Sequence, residues 1–189
     1  MKVRMILISF LGYLVSGSVS LANVSESLSQ GTLCLVSEDV YFSCKLKNSK
    51  VVSVCGSITY PQEGYFTPND GYVQYRYGSI NNVELEYPEN KVSPINKFTL
   101  IINDMSKQFA HDNGVAWFNT NKLKFNNGSF QYVLTSSKFG SNELDNAFLD
   151  VYKNGENIFS QECQMEVTSN FFELYRYKHR FDYKTKIEI

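Results

Sequence analysis

Turn residues interrupt this chain at short intervals, and the runs between them are rich in valine, isoleucine, tyrosine, phenylalanine and threonine. Such residues favour strands, and no segment shows a long apolar stripe with the 3.6-residue period of a helix. The predicted strands are residues 33–37, 40–46, 50–57, 72–77, 83–87, 98–103, 114–119, 122–126, 128–136, 147–153, 156–161 and 172–187. Because strands at this spacing bury their apolar faces only by closure or by a second layer, we predict an all-β fold, with an antiparallel sheet curved into a barrel or a two-layer sandwich.

The turns themselves carry further information. Asn126-Asn127-Gly128 and Lys153-Asn154-Gly155 are the strongest hairpin tips, because asparagine and glycine accept the positive φ of tight turns. Residues 63–71 and 88–96 are polar and contain prolines, so we predict longer loops there. The second of these loops is a candidate boundary between two β-meanders.

Four cysteines, Cys34, Cys44, Cys55 and Cys163, form an even set without CxxC spacing. Metal and redox sites of the common kinds require such short spacings, so disulfide staples are the preferred interpretation. If the hairpin around residues 42–57 turns at Ser49-Lys50, Cys44 lies opposite Cys55 and Cys34 is left for Cys163. The second choice is Cys34 with Cys44, which flank a turn at Glu38-Asp39, since sequence alone leaves all three pairings open.

The amino terminus has the pattern of a secretory signal peptide. Lys2 and Arg4 precede an apolar run from Met5 to Val15, and Ser20-Leu21-Ala22 supplies small residues for cleavage after Ala22. The run is shorter than the roughly 20 residues of a membrane-spanning helix. We therefore expect a signal peptide at 1–22, a single β-rich domain at 23–189, no integral membrane segment after cleavage, and a periplasmic or secreted protein.

Charge excludes some partners. Residues 23–189 contain 16 basic and 19 acidic side chains, a net charge of −3 with neutral histidines. This balance predicts no general attraction to nucleic acid or to an anionic membrane. No motif indicates a cofactor or a metal, and oligomeric state is not predicted.

The last predicted strand alternates an aromatic face with a basic face. Arg176, Lys178 and Arg180 fall on the even positions of this strand. They are interpreted either as solvated charges of an edge strand or as a recognition strip for an acidic partner.

A second candidate binding cluster lies on two neighbouring predicted strands. Tyr75 and Tyr77 point to one face of the sheet, and Tyr72 and Arg76 to the other. Arg76 is predicted to meet Glu84 or Glu86 across the strand pair. The cluster is interpreted either as a cross-strand ion pair on a solvated face or as an anchor for a partner, because tyrosine and arginine dominate binding hot spots.

Catalytic signals are few. The histidines are His111 and His179, there is no Gly-x-Ser-x-Gly motif, and all cysteines are expected to be paired, so no catalytic residue is assigned. Carboxylates such as Glu84 and Glu86 keep a two-carboxylate hydrolase open as an alternative.

The segments "LCLVSEDVYFSCKLKNSKVVSVCGS" and "YVQYRYGSINNVELEYP" resemble a group of small exported bacterial proteins of unassigned function, marked by FSC…C, YxQYRxG and ELxYP. The match covers roughly residues 33 to 88 and implies export and a β fold, but no activity. A looser similarity is to periplasmic inhibitors of c-type lysozyme, which are antiparallel β-barrels. Their inhibitory serine-glycine loop has no clean counterpart, since Ser79 follows Gly78 and so reverses the order.

Taken together, these features favour a non-enzymatic, exported protein that binds a protein partner in the cell envelope. An inhibitor or immunity protein against a wall-degrading enzyme is one such binder. A periplasmic carboxylate-dependent hydrolase and a structural envelope component are the alternatives.

Overall fold

The computed structural model describes residues 31–58, 71–94, 96–102, 109–111, 114–116, 118–139, 144–164, 167–175 and 182–184. These residues form thirteen strands and one helix of five residues. The strands are β1 (Asp39–Lys45), β2 (Val51–Ile58), β3 (Gly71–Ser79), β4 (Asn82–Tyr87), β5 (Thr99–Ile102), β6 (Phe109–His111), β7 (Gly114–Ala116), β8 (Phe118–Asn127), β9 (Phe130–Phe139), β10 (Leu144–Lys153), β11 (Glu156–Glu162), β12 (Thr168–Ser169) and β13 (Asp182–Lys184). The helix is α1 (Phe171–Tyr175). The predicted all-β fold is confirmed.

The first sheet has the order β12-β1-β2-β3-β4, and all neighbouring strands in it are antiparallel. Side chains alternate across it, so that Val54 and Tyr75 are buried on its inner face while Ser53 and Arg76 lie on its outer face. Residues 31–38, called here the covering segment, lie over that outer face. The Leu33 N–H donates to Ser53 Oγ at 3.0 Å, so the outer face of this sheet is buried there as well.

The second sheet has the order β11-β10-β9-β8-β5-β13. Its pairs are antiparallel except for the parallel pairing of β5 with β13. Gly128 and Gly155, with φ of 60° and 86°, lie in the turns of the β8–β9 and β10–β11 hairpins. Both predicted hairpin tips are therefore confirmed, and β6 and β7 form a separate two-stranded hairpin.

The two sheets share one hydrophobic core and form a two-layer sandwich. Between the layers, the centroid of the Tyr75 ring lies 4.8 Å from that of Phe125 and 5.8 Å from that of Tyr132. Tyr87 stacks on Phe125 with centroids 4.4 Å apart. The described strands form no closed barrel. Residues 88–98 connect the first sheet to the second, which confirms the predicted boundary between two meanders.

The structure has two disulfides, as predicted, but the preferred pairing and the second choice are both wrong. The bonds are Cys34–Cys55 and Cys44–Cys163, with no free cysteine. The reason is the register of the β1–β2 hairpin, in which Cys44 lies opposite Val52 rather than opposite Cys55. Cys44 therefore shares the inner face with Val52, while Cys55 lies on the outer face beneath the covering segment, and the two sulfurs cannot meet.

The turn of that hairpin explains the shift in register. The Leu46 N–H donates to the Lys50 carbonyl at 2.8 Å, which closes a three-residue loop instead of the expected turn at Ser49-Lys50. Ser49 adopts a φ of 65°, and Asn48 Oδ1 accepts a hydrogen bond from the Lys50 N–H at 3.1 Å. The asparagine side chain thus stabilises a turn that moves every cross-strand partner.

Some predicted strands differ from the structure. The predicted strand at 114–119 is divided between β7 and β8, and β8 also includes the predicted strand at 122–126. Residues 33–37 belong to the covering segment, which runs in turns and bends around an isolated bridge residue at Leu35. The predicted strand at 172–187 begins inside α1, and of its remainder the structure describes only β13. Among the described residues, none forms a helix of the length and apolarity needed to cross a bilayer.

Candidate functional site

Arg76 is the centre of a buried polar cluster between β3 and the covering segment. Its Nη1 and Nη2 donate to the two carboxylate oxygens of Glu38 at 2.6 and 2.8 Å. Nη1 also donates to the Leu33 carbonyl at 2.9 Å, and Nη2 to Gln74 Oε1 at 2.7 Å. Because Nε lies 3.1 Å from Glu86, every side of the guanidinium is occupied.

Glu38 is ionised inside this cluster. Burial opposes its charge, but hydrogen bonds from Arg76, Tyr72 and the Leu35 N–H outweigh that effect and lower the pKa of Glu38 from 4.5 to about 2. The Lys91 ammonium lies 3.5 Å from the same carboxylate and 5.0 Å from the centroid of the Tyr72 ring. The cluster is therefore a satisfied ion-pair network that fixes the covering segment on the first sheet.

The same region does not fit a metal site. Cys34, Cys55 and Glu38 have potential ligand atoms within 4.8 Å of one another. The two sulfurs are bonded in a disulfide, however, so neither is available as the thiolate that a metal requires.

The predicted cluster of Tyr72, Tyr75, Arg76 and Tyr77 is divided between the two faces of β3. Arg76 meets Glu86 as expected, but it is only 3% exposed, and its closest carboxylate partner is Glu38. The four residues therefore form no single exposed patch.

Glu38 could not be predicted as a partner of Arg76, because it lies in a turn 38 residues away in the sequence. The available signal was that Arg76 shares its face of the sheet with small residues of β2. Small side chains on that face leave room for a covering layer.

The basic residues of the predicted recognition strip, Arg176, Lys178 and Arg180, lie outside the described residues. Their role stays a prediction.

An apolar groove, called here the side groove, opens between the two sheets where β4 and β11 form their edges. Its volume is about 340 Å³. It is lined by Tyr75, Tyr77, Glu84, Leu85, Phe130, Tyr132, Leu149, Val151, Ile158 and Phe159. Ile158, which belongs to this lining, is 52% exposed.

Tyr75 forms the floor of the side groove. Its side chain is fully buried, and its hydroxyl has no hydrogen-bond partner among the described residues. Polar groups in this state are few in folded proteins and call for an explanation. The side groove thus combines an apolar lining with one unused hydrogen-bonding group, which is the composition expected of a binding pocket.

A second cavity, of about 690 Å³, lies beside β5 and the end of β8. Its lining includes Tyr87, Asn96, Lys97, Lys124 and Gln131, so it is more polar than the side groove. No buried polar group without a partner lines it among the described residues.

Glu84 and Glu86, the carboxylates of the hydrolase alternative, are both engaged by cations. Glu84 pairs with Lys50, and Glu86 pairs with Arg76 at 3.1 Å. Strand β4 therefore presents these two acids as members of ion pairs.

Comparison of the chain with protein-family models, curated proteins and solved structures finds no match.

Proposed function

We propose that this chain is an exported protein that binds a protein partner in the cell envelope through the side groove. The observation that carries the proposal is the groove itself, an apolar opening between two sheet edges with Ile158 exposed in its lining. Apolar side chains gathered around one opening are typical of a binding site.

Two further features support the proposal. The disulfides Cys34–Cys55 and Cys44–Cys163 are typical of proteins that fold in an oxidising compartment, in agreement with the signal-peptide pattern at residues 1–22. The resemblance of residues 33–88 to small exported bacterial proteins points in the same direction. The looser similarity to lysozyme inhibitors makes a wall-degrading enzyme our preferred class of partner.

The test is site-specific cross-linking in the intact envelope. A photoreactive benzoyl-phenylalanine at position 158 is expected to trap one protein, to be identified by mass spectrometry and then shown to bind the purified chain. The matched control is the same group at Val36, which is 69% exposed on the covering segment and is expected to trap nothing specific. In the purified pair, Ile158→Lys should weaken binding at least about tenfold, because it places a charge in a desolvated apolar contact, whereas Val36→Lys should not.

Equal trapping from both positions, or equal binding by both lysine variants, would show that the partner docks elsewhere. The hydrolase alternative is tested with purified peptidoglycan, for which turbidity should stay constant when this protein alone is added. A steady fall in turbidity, lost in Glu84→Gln or Glu86→Gln, would replace our proposal with the enzyme.

A further inference from the structure

The hydroxyl of Tyr75, below the side groove, is a hydrogen-bond donor without an acceptor among the described residues. Burial raises the pKa of Tyr75 well above 10.0, so the phenol keeps its proton at neutral pH. None of the described residues accepts that proton in a hydrogen bond. A ligand that places a hydrogen-bond acceptor next to this hydroxyl would therefore satisfy a buried donor that is unsatisfied in the free protein.

The lining of the side groove suits one aromatic ring. Tyr77, Phe130, Tyr132 and Phe159 surround the space above Tyr75. Aromatic side chains pack on one another in tilted or offset geometries, as Tyr75 and Tyr132 already do at an interplanar angle of 49°. A volume of about 340 Å³ accommodates a large side chain but not a helix.

A positive charge lies beside the groove, against the ring of Phe130, which is part of its lining. Lys153 is paired with Phe130 in the β9–β10 register, and its ammonium lies 5.3 Å from the centroid of that ring. Glu156 lies opposite Lys153 in the β10–β11 register, but among the described residues Lys153 makes no ion pair. A carboxylate next to the aromatic anchor of an occupant would complement this charge.

We propose that the side groove receives a tyrosine side chain of the partner, flanked in the partner's sequence by an acidic residue. The ring packs among the aromatic side chains, its hydroxyl oxygen accepts the hydrogen bond of Tyr75, and the neighbouring carboxylate pairs with Lys153. The Tyr75 hydroxyl is covered in the free protein. The anchor therefore reaches it only when the half-buried rings of Tyr77 and Tyr132 turn aside. This inference rests on the proposed function and names the chemistry of the partner.

The experiment compares two peptides that differ by one oxygen atom, acetyl-Glu-Tyr-Glu-amide and acetyl-Glu-Phe-Glu-amide, titrated into the full protein and followed by NMR chemical shifts. The native protein is expected to bind the tyrosine peptide about two- to tenfold more tightly. Tyr75→Phe, which keeps the ring and removes the donor, should abolish this preference. Lys153→Gln should weaken the binding of both peptides equally, by about two- to fivefold at low salt, and leave the preference for the tyrosine peptide unchanged.

The anchor proposal would be overturned by equal affinities of the two peptides for the native protein, by a tyrosine preference that survives Tyr75→Phe, or by no binding of either peptide at millimolar concentration. Partner capture through position 158 does not depend on which side chain enters the groove. The two proposals can therefore fail separately.

Discussion

Glu38 carries a negative charge into the protein interior, where an unpaired carboxylate would be strongly destabilising. The bidentate contact with Arg76 makes this burial possible, and Tyr72 and Lys91 complete the coordination of its two oxygens. Its pKa is lower in the folded protein than in the unfolded chain, so ionisation of Glu38 stabilises the fold above about pH 4.5. That stabilisation is lost as the pH falls towards about 2.

Glu38→Gln is expected to lower the free energy of unfolding at pH 7 by about 3 kcal/mol, because it leaves the Arg76 charge buried with a weaker partner. Urea unfolding of the native protein and the variant at pH 7 and pH 3 measures the effect. The difference between them should shrink by about 2 kcal/mol at pH 3, where the native Glu38 has lost much of its advantage.

The control for this prediction is Glu162→Gln, since Glu162 is also ion-paired, with Lys47 at 3.4 Å, but its side chain is 42% exposed. Its effect should stay below about 1 kcal/mol. A Glu38 variant that behaves like this control would mean that the buried pair does not stabilise the fold.

At the level of strands, the turns and the alternation of side chains could be predicted from neighbouring residues, but the register and the disulfide pairing could not. The tips at Gly128 and Gly155 follow from residues that tolerate positive φ, and the face alternation of β3 follows from the period of a strand. The register of β1 with β2 depends on how Asn48 and Ser49 close a three-residue loop. The same sequence is also compatible with a two-residue turn, which would give a different register. The disulfide pairing follows from that register, so one error produced the other.

The two disulfides restrain the unfolded chain to different extents. Cys44–Cys163 joins the first strand to the residue after β11 across 119 positions, whereas Cys34–Cys55 closes only 21. By chain entropy, replacing Cys44 and Cys163 together by alanine should lower the free energy of unfolding by about 5 kcal/mol, and the Cys34 and Cys55 pair by about 3 kcal/mol. Denaturant unfolding of both double variants measures the order. The reverse order would show that the contacts of the covering segment outweigh loop length.

For the whole molecule, the sequence predicted the class and the meander boundary, but it left barrel or sandwich open. The choice depends on which aromatic side chains meet between layers, such as Tyr75 with Phe125, and these contacts join residues 50 positions apart. The side groove was equally hidden, because its lining is assembled from five strands of two sheets. Periodicity assigns a side chain to a face, not to an opening between faces.

One core shared by both sheets predicts one unfolding transition. Far-ultraviolet circular dichroism, which follows the strands, and near-ultraviolet circular dichroism, which follows the packed tyrosines, should give the same denaturant midpoint with the disulfides intact. Two separated midpoints would mean that the sheets are independent units and that the described chain is not a single domain.

The disulfides also interleave along the chain, since Cys44 lies within the loop that Cys34 and Cys55 close. A chain that enters an oxidising compartment from its amino end presents three thiols before the fourth, Cys163, arrives. During that interval Cys44 can form a non-native disulfide with Cys34 or with Cys55. Either bond must be undone by thiol exchange before the native pairs can form. The β1–β2 hairpin places Cys44 and Cys55 on opposite faces, so its formation removes one of the two errors. Early formation of the hairpin therefore favours correct pairing, and a Cys34–Cys44 bond must be exchanged before Cys34–Cys55 can form.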